Sequence, residues 1–211
     1  MDKIIIETKS LSFQNMIYYQ DIQINENKVN FIVGKSGTGK STLLRLFNGT
    51  LSPSGGAVYY RGKDILTVDT INLRKEILLI SQSLYLFDES IKENFNKFYE
   101  YRGKTVPSEQ KMKEFLDICC IDFPLDKDCL TMSGGERQRV YTAIFLSFLP
   151  KVIMLDEPTS ALDKQNSFNV IHNVLIFCKE NGITAIIVSH DKDLTDSFAD
   201  TIITIEKREK V

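Results

Sequence analysis

Two stretches of this chain run as nearly unbroken apolar residues, Val152–Leu155 and Thr184–Val188. Runs of that length mark strands buried on both faces, as in a parallel sheet flanked by helices. Further strand-like segments are Ile4–Thr8, Ile22–Ile24, Val29–Val33, Ala57–Tyr60, Ile77–Ser81 and Thr201–Ile205. The early ones alternate with polar residues and are bounded by turn signals such as Pro53-Ser54-Gly55-Gly56, the pattern of an antiparallel flank. Helical periodicity follows Lys40 and recurs over Ile91–Phe98, Ser108–Cys120, Gly135–Phe148 and Ser167–Glu180, with Ser108 a candidate N-cap. From about Phe87 to Met132 helices dominate and interrupt the strand–helix alternation. The pattern predicts an α/β fold in one domain, residues 1–211, with a helical subdomain over about 87–148 inserted in a core of mostly parallel sheet.

The segment between Val29–Val33 and the first helix changes the picture. It reads Gly34-Lys35-Ser36-Gly37-Thr38-Gly39-Lys40-Ser41-Thr42. A strand, a loop of the form G-x-x-x-x-G-K-[ST] and a helix together make a phosphate-binding loop. The glycines let successive N–H groups turn toward phosphate oxygens, and the helix N-terminus adds its positive dipole end. Lys40 supplies a point charge for the β- and γ-phosphates, and Ser41 a hydroxyl for Mg²⁺.

Composition narrows the partners. Of 211 residues 43% are hydrophobic and 26% charged, with a formal net charge of −2. That balance is ordinary for a globular protein and carries no basic footprint for nucleic acid. No apolar run approaches the roughly 20 residues that cross a bilayer, and the N-terminus enters a strand directly, which predicts no secretory leader. The four cysteines, Cys119, Cys120, Cys129 and Cys178, lack the spacing of a zinc or iron–sulfur site. They read as reduced thiols packed as small hydrophobes.

Two more motifs carry chemistry. Val152–Leu155 ends in Asp156-Glu157, at the strand end where open α/β sheets meet their ligand. Asp156 is placed to hold Mg²⁺, and Glu157 to orient and deprotonate an attacking water. Upstream, Ser133-Gly134-Gly135-Glu136 opens a helix and forms a second anion nest. One nucleotide does not need two cradles, so the second is expected to serve the nucleotide of another copy.

These residues bring the chain to a known family. It resembles the nucleotide-binding subunits of ATP-binding cassette (ABC) transporters over about residues 3 to 205. Gly34 to Thr42 looks like the Walker A loop, Gln82 the Q-loop glutamine, and Ser133-Gly134-Gly135-Glu136 the signature, with Glu136 for the commoner glutamine. Asp156-Glu157 looks like the Walker B end, Ser160-Ala161-Leu162-Asp163 the D-loop, and His190 the switch histidine after Ile186-Ile187-Val188-Ser189. The resemblance implies an ATPase in which two copies dimerise head to tail around two ATP molecules. Each ATP then lies between Lys40 of one copy and the Ser133 nest of the other, with Asp163 a further nucleotide-binding residue. Glu157 would polarise the water and His190 hold the γ-phosphate. Gln82 would link Mg²⁺ and water to a membrane partner. Family members commonly carry a tyrosine upstream that stacks on adenine; this chain has Asn15 there, leaving Phe13, Tyr18 and Tyr19 as alternatives.

The same resemblance implies a separate integral-membrane permease and a peripheral place at the cytoplasmic face of the membrane. The permease groove would include Gln82–Asp88, with Tyr85, Leu86 and Phe87 as an apolar anchor or simply as subdomain packing. Segments around Ser160–Asn166 and His190–Asp193 resemble ATPase subunits of FetA-type bacterial iron exporters. Two other classes stay open: a soluble cassette ATPase of iron–sulfur cluster assembly, and a non-hydrolysing regulatory module.

Overall fold

Five parallel strands form one sheet in the order β10-β4-β9-β8-β7. They are β4 (Val29–Val33), β7 (Ile77–Ile80), β8 (Val152–Asp156), β9 (Thr184–Val188) and β10 (Thr201–Thr204). The computed structural model describes residues 3–159 and 164–206. Every residue of β8 and β9 is buried, as their apolar runs require. Val188 pairs with both Ile32 and Asp156, so β4, β9 and β8 end at one level. Chain segments leaving these three strand ends therefore emerge side by side.

The second sheet is antiparallel and has five strands. Its long strand β1 (Ile4–Phe13) pairs on one edge with β5 (Gly55–Tyr60), which in turn pairs with β6 (Lys63–Asp64). On its other edge β1 holds β2 (Ile17–Tyr18) and β3 (Gln23–Asn25). Gln14 and Asn15 both have left-handed φ, 51° and 53°, and the Met16 N–H bonds the Phe13 carbonyl at 3.1 Å. That is the type I′ geometry that turns β1 tightly back into β2.

Helix α1 (Lys40–Phe47) joins the two sheets. Its Leu43, Leu44, Leu46 and Phe47 are fully buried in one cluster with Ile32, Met154 and Ile186 of the parallel sheet and Ile5, Ile24 and Val58 of the antiparallel one. Two short helices complete this unit, α2 (Thr70–Glu76) and α7 (Lys192–Phe198), each N-capped by an aspartate, Asp69 and Asp191. The unit draws on Met1–Ser81, Pro150–Glu157 and Cys178–Val211.

A second unit draws on Gln82–Leu149 and Pro158–Phe177. It is helical, with α3 (Ile91–Tyr101), α4 (Glu109–Ile118), α5 (Gly134–Leu146) and the first part of α6 (Lys164–Glu180). Phe95, Phe115, Leu116 and Ile144 are buried in it. Asn94, wholly buried, shapes the segment entering α3: its side chain accepts from the Phe87 N–H at 2.8 Å and donates to the Ser90 carbonyl at 3.0 Å. Arg137 donates to the Cys129 and Leu86 carbonyls, and Arg139 to that of Cys120, so both arginines tie loops to α5. Cys119, Cys129 and Cys178 are buried and Cys120 is half-buried. Among the described residues no helix is long and apolar enough to cross a membrane.

Candidate nucleotide site

The phosphate loop leaves β4 at Gly34 and re-enters regular structure at Lys40. A Cβ on Gly34 would lie 2.3 Å from the Ile205 carbonyl oxygen, so only glycine allows the loop to start this close to the end of β10. Gly39 takes a left-handed φ of 92° and starts α1 with no side-chain cap and no acidic residue in the first turn. The helix N-terminus is therefore matched to an anion from outside. Lys35, Ser36 and Gly37 form the exposed crest of the loop. Thr38 is buried, and its hydroxyl donates to the Lys35 carbonyl at 3.0 Å. Ser41 and Thr42, at the start of α1, are half-buried.

Lys40 is 6% exposed and its ammonium donates to the carbonyls of Gly34 and Lys35 at 2.9 and 3.0 Å. Burial pushes its pKa down, against the opposing pull of the Glu157 and Asp156 carboxylates. Ser41 donates its hydroxyl to Asp156 Oδ1 at 3.0 Å. Asp156 is 3% exposed, and burial, with the Glu157 charge adding to it, raises its pKa despite that hydrogen bond. The loop thus carries a buried cation, and through Ser41 it is bonded to a buried carboxylate on the next strand but one.

Glu157 follows Asp156 with a left-handed φ of 50°. In a non-glycine residue such a conformation costs on the order of 1–3 kcal/mol and clusters at functional sites. Its N–H is held by the Val188 carbonyl at 3.0 Å, tying the end of β8 to β9. His190, two residues past β9, is exposed, and its Nε2 lies 3.1 Å from Glu157 Oε1. One parallel sheet thus brings Lys40, Ser41, Asp156, Glu157 and His190 together, residues far apart in the chain.

Ser133, Gly134, Gly135 and Gln82 belong to the helical unit. Ser133 and Gly134 are exposed at the start of α5, Gly135 is buried, and Gln82 is exposed just beyond β7. Glu136 closes a capping box: its carboxylate accepts from the Ser133 N–H at 2.7 Å and hydroxyl at 2.9 Å, and these bonds hold its pKa down. Asp163, with Ser160, Ala161 and Leu162, lies outside the described residues. The anchor set divides: Leu86 is buried, whereas Tyr85 is 64% exposed with its ring edge-on to Phe87 at 5.1 Å. Phe87 continues through Phe98 to Tyr141 in a chain of ring contacts.

The three aromatics left open near the loop also separate. Asn15 sits in the type I′ turn with its N–H on Ser54 Oγ at 3.2 Å. Tyr18 donates its hydroxyl to the Asn15 carbonyl at 3.1 Å, and Phe13 packs against the core. Tyr19 is buried, with its hydroxyl on the Gly39 carbonyl at 2.9 Å. Nothing in the sequence pattern distinguishes this contact from base stacking.

Comparison with known proteins identifies the family. The pattern of the ABC transporter family matches residues 19–160. The probable iron export ATP-binding protein FetA of Escherichia coli is 33% identical across 93% of this chain and 91% of its own length. A phosphate import ATP-binding protein, PstB 1 of Enterococcus faecalis, is 35% identical across 95% of this chain and 85% of its own. A solved ATP-binding cassette, dimeric in a post-hydrolysis state with ADP and phosphate, superposes with a TM-score of 0.82 at 25% identity, covering 95% of this chain and 94% of that one.

Proposed function

The chain belongs to the ABC transporter family and is an ATPase subunit of it, and from that premise we propose how its own residues carry the reaction and what the reaction drives. The observation that supports the reading is the convergence of Lys40, Ser41, Asp156, Glu157 and His190 at one end of the parallel sheet. The triphosphate is received by the amides of the phosphate loop and the start of α1. Lys40 gives up the Gly34 and Lys35 carbonyls and turns its ammonium to the β- and γ-phosphates.

Ser41 Oγ and Asp156 Oδ1, two hard oxygen donors 3.0 Å apart, suit Mg²⁺. When bound, that ion would neutralise charge on the phosphate chain. Glu157 accepts the proton of a water whose oxygen bonds to the γ-phosphorus as the bond to the β,γ-bridging oxygen breaks, giving ADP and phosphate. His190 Nε2 holds the Glu157 carboxylate and reaches the γ-phosphate. Gln82 would be a further oxygen donor to that ion and to the attacking water when they are bound.

The Ser133–Gly135 segment, with Ser133 and Gly134 exposed, serves the ATP of a second copy, together with Asp163. ATP then acts as the bridge of the dimer, and hydrolysis loosens it. The driven partner is an integral-membrane permease on another chain, which places this subunit at the inner face of a membrane. Tyr85, Phe87 and their ring neighbours in the helical unit are its anchor. Export of a metal such as iron is the substrate reading, carried by the likeness to the Escherichia coli protein. The relatives named above serve transport, which favours this reading over an iron–sulfur assembly ATPase, and Glu157 with His190 Nε2 at 3.1 Å speaks against a silent regulator.

The test is phosphate release by the purified chain together with pull-down from detergent-solubilised membranes. A multi-span membrane protein captured by the tagged chain, and turnover abolished by Lys40→Ala, are the expected results. Capture of soluble scaffold proteins alone would overturn the transport reading, and undiminished turnover by Lys40→Ala would overturn the site.

A further inference from the structure

Tyr19 is buried, 5% exposed, beside the loop that receives phosphate. Its N–H is bonded to the Leu11 carbonyl at 2.9 Å, so β1 aims the ring. The hydroxyl donates to the Gly39 carbonyl at 2.9 Å. The fit is close: a Cβ on Gly39 would lie 2.7 Å from the Tyr19 hydroxyl oxygen and 3.0 Å from Cγ2 of Ile17. Ile17 and Tyr19, two residues apart, thus flank Gly39 from one face, as alternation along an extended segment allows. Burial pushes the Tyr19 phenol up, so it stays a donor at physiological pH.

Gly39 is the joint between loop and helix. Its left-handed φ starts α1, and its carbonyl already accepts the first helical bond from the Leu43 N–H at 2.8 Å. The Tyr19 hydroxyl takes the second lone pair of that oxygen. In a planar trans peptide the carbonyl of Gly39 and the N–H of Lys40 point opposite ways. Holding the oxygen therefore fixes the direction of the Lys40 N–H, one of the helix-start amides that face an anion.

We propose that Tyr19 is a positioning residue of the phosphate site: its hydroxyl holds the Gly39–Lys40 peptide in the orientation that receives the triphosphate, and its ring does not stack on the base. The inference rests on reading the loop as an ATP site. Because Tyr19 acts through Gly39, its removal weakens every ligand that carries the phosphate chain, whatever the base. Both Tyr19→Phe and Tyr19→Leu leave the Gly39 carbonyl paired with Leu43, so neither orphans a buried acceptor.

The test titrates the full chain calorimetrically with Mg·ATP, Mg·GTP and Mg·tripolyphosphate. Tyr19→Phe should bind all three about five-fold more weakly, the net worth of one hydrogen bond. KM for ATP should rise by about the same factor while kcat at saturation stays within about two-fold, as expected for lost ground-state positioning. Tyr19→Leu should match Tyr19→Phe toward tripolyphosphate. Unchanged binding of all three ligands by Tyr19→Phe overturns the proposal. So does weakened ATP and GTP with unchanged tripolyphosphate, which would mean a base contact. Loss in Tyr19→Leu alone overturns it in favour of packing. Wild-type protein that binds none of the ligands overturns the ATP reading itself, a result distinct from the others.

Discussion

Glu157→Gln separates binding from turnover. The substitution keeps the side-chain length and leaves an oxygen to accept from His190 Nε2, now 3.1 Å from Glu157 Oε1. What it removes is a proton acceptor and a negative charge. A positioned general base is worth about 10²–10⁴ in rate, or about 3–5 kcal/mol of barrier at 1.36 kcal/mol per decade. The half-buried carboxylate also faces Lys40 and offsets the burial of its ammonium. A bound triphosphate replaces that negative charge, so affinity is not expected to fall. We expect kcat to drop by about 10²–10³ with the Kd for Mg·ATP equal to or below that of the wild type. With hydrolysis stalled, light scattering in Mg·ATP should find twice the monomer mass for the variant and not for wild type after turnover. A kcat within about ten-fold of wild type would refute Glu157 as the base. A variant that binds ATP yet stays monomeric at high concentration would refute the shared-nucleotide dimer.

Asp156→Asn should raise the melting temperature of the nucleotide-free protein while abolishing Mg²⁺-dependent turnover. The folded-state pKa of Asp156 lies above its unfolded value, so the native protein binds more protons in that window and loses stability as pH rises through it. Melts at pH 5 and pH 8 check the sign, and a lower melting temperature for the variant at pH 8 would contradict it. Glu136→Gln keeps the acceptor for Ser133 but removes a carboxylate held charged beside the second cradle. ATP-dependent dimerisation followed by sedimentation should tighten several-fold at low salt and less at high salt. Phe47→Ala empties a fully buried site between the two sheets and should destabilise by about 3–5 kcal/mol, about 10 °C in a thermal melt.

The parts legible in the sequence were those whose physics is local. The runs of β8 and β9 are too short for buried helices and read as buried strands, and the phosphate loop needs its glycines, Lys40 and Ser41 in one contiguous stretch. Helices α2 and α7 span seven residues each, less than two full turns of apolar pattern, and only their caps Asp69 and Asp191 announce them. Strands β2 and β6 are two residues long. The first exists because Gln14 and Asn15 adopt left-handed backbone without glycine, which residue type alone does not reveal. Within the site, the Glu157–His190 contact depends on β8 and β9 being neighbours, and the Tyr19–Gly39 bond on which way the chain turns just past the short strand β2. Each is decided by pairing, not by spacing. Leu86 shows the same limit: its neighbours Tyr85 and Phe87 read alike as apolar, yet only the fold sends Leu86 into the core.

The functional groups of the site are hydrogen-bonded to one another and to the loop backbone. Lys40 holds two loop carbonyls and Ser41 holds Asp156. Exchanging one satisfied hydrogen bond for another is worth only about 1 kcal/mol net, so hydrogen bonding alone gives ATP little. The larger reservoir is electrostatic. Burial drives Lys40 toward its neutral form and Asp156 toward its protonated form, opposite shifts at groups on neighbouring elements. An anion relieves the first and a cation the second. A triphosphate alone answers only Lys40 and adds repulsion at Asp156; a metal alone does the reverse. The pair of shifts therefore describes a site complementary to a ligand that brings both charges at once, which is what a magnesium–nucleotide complex is.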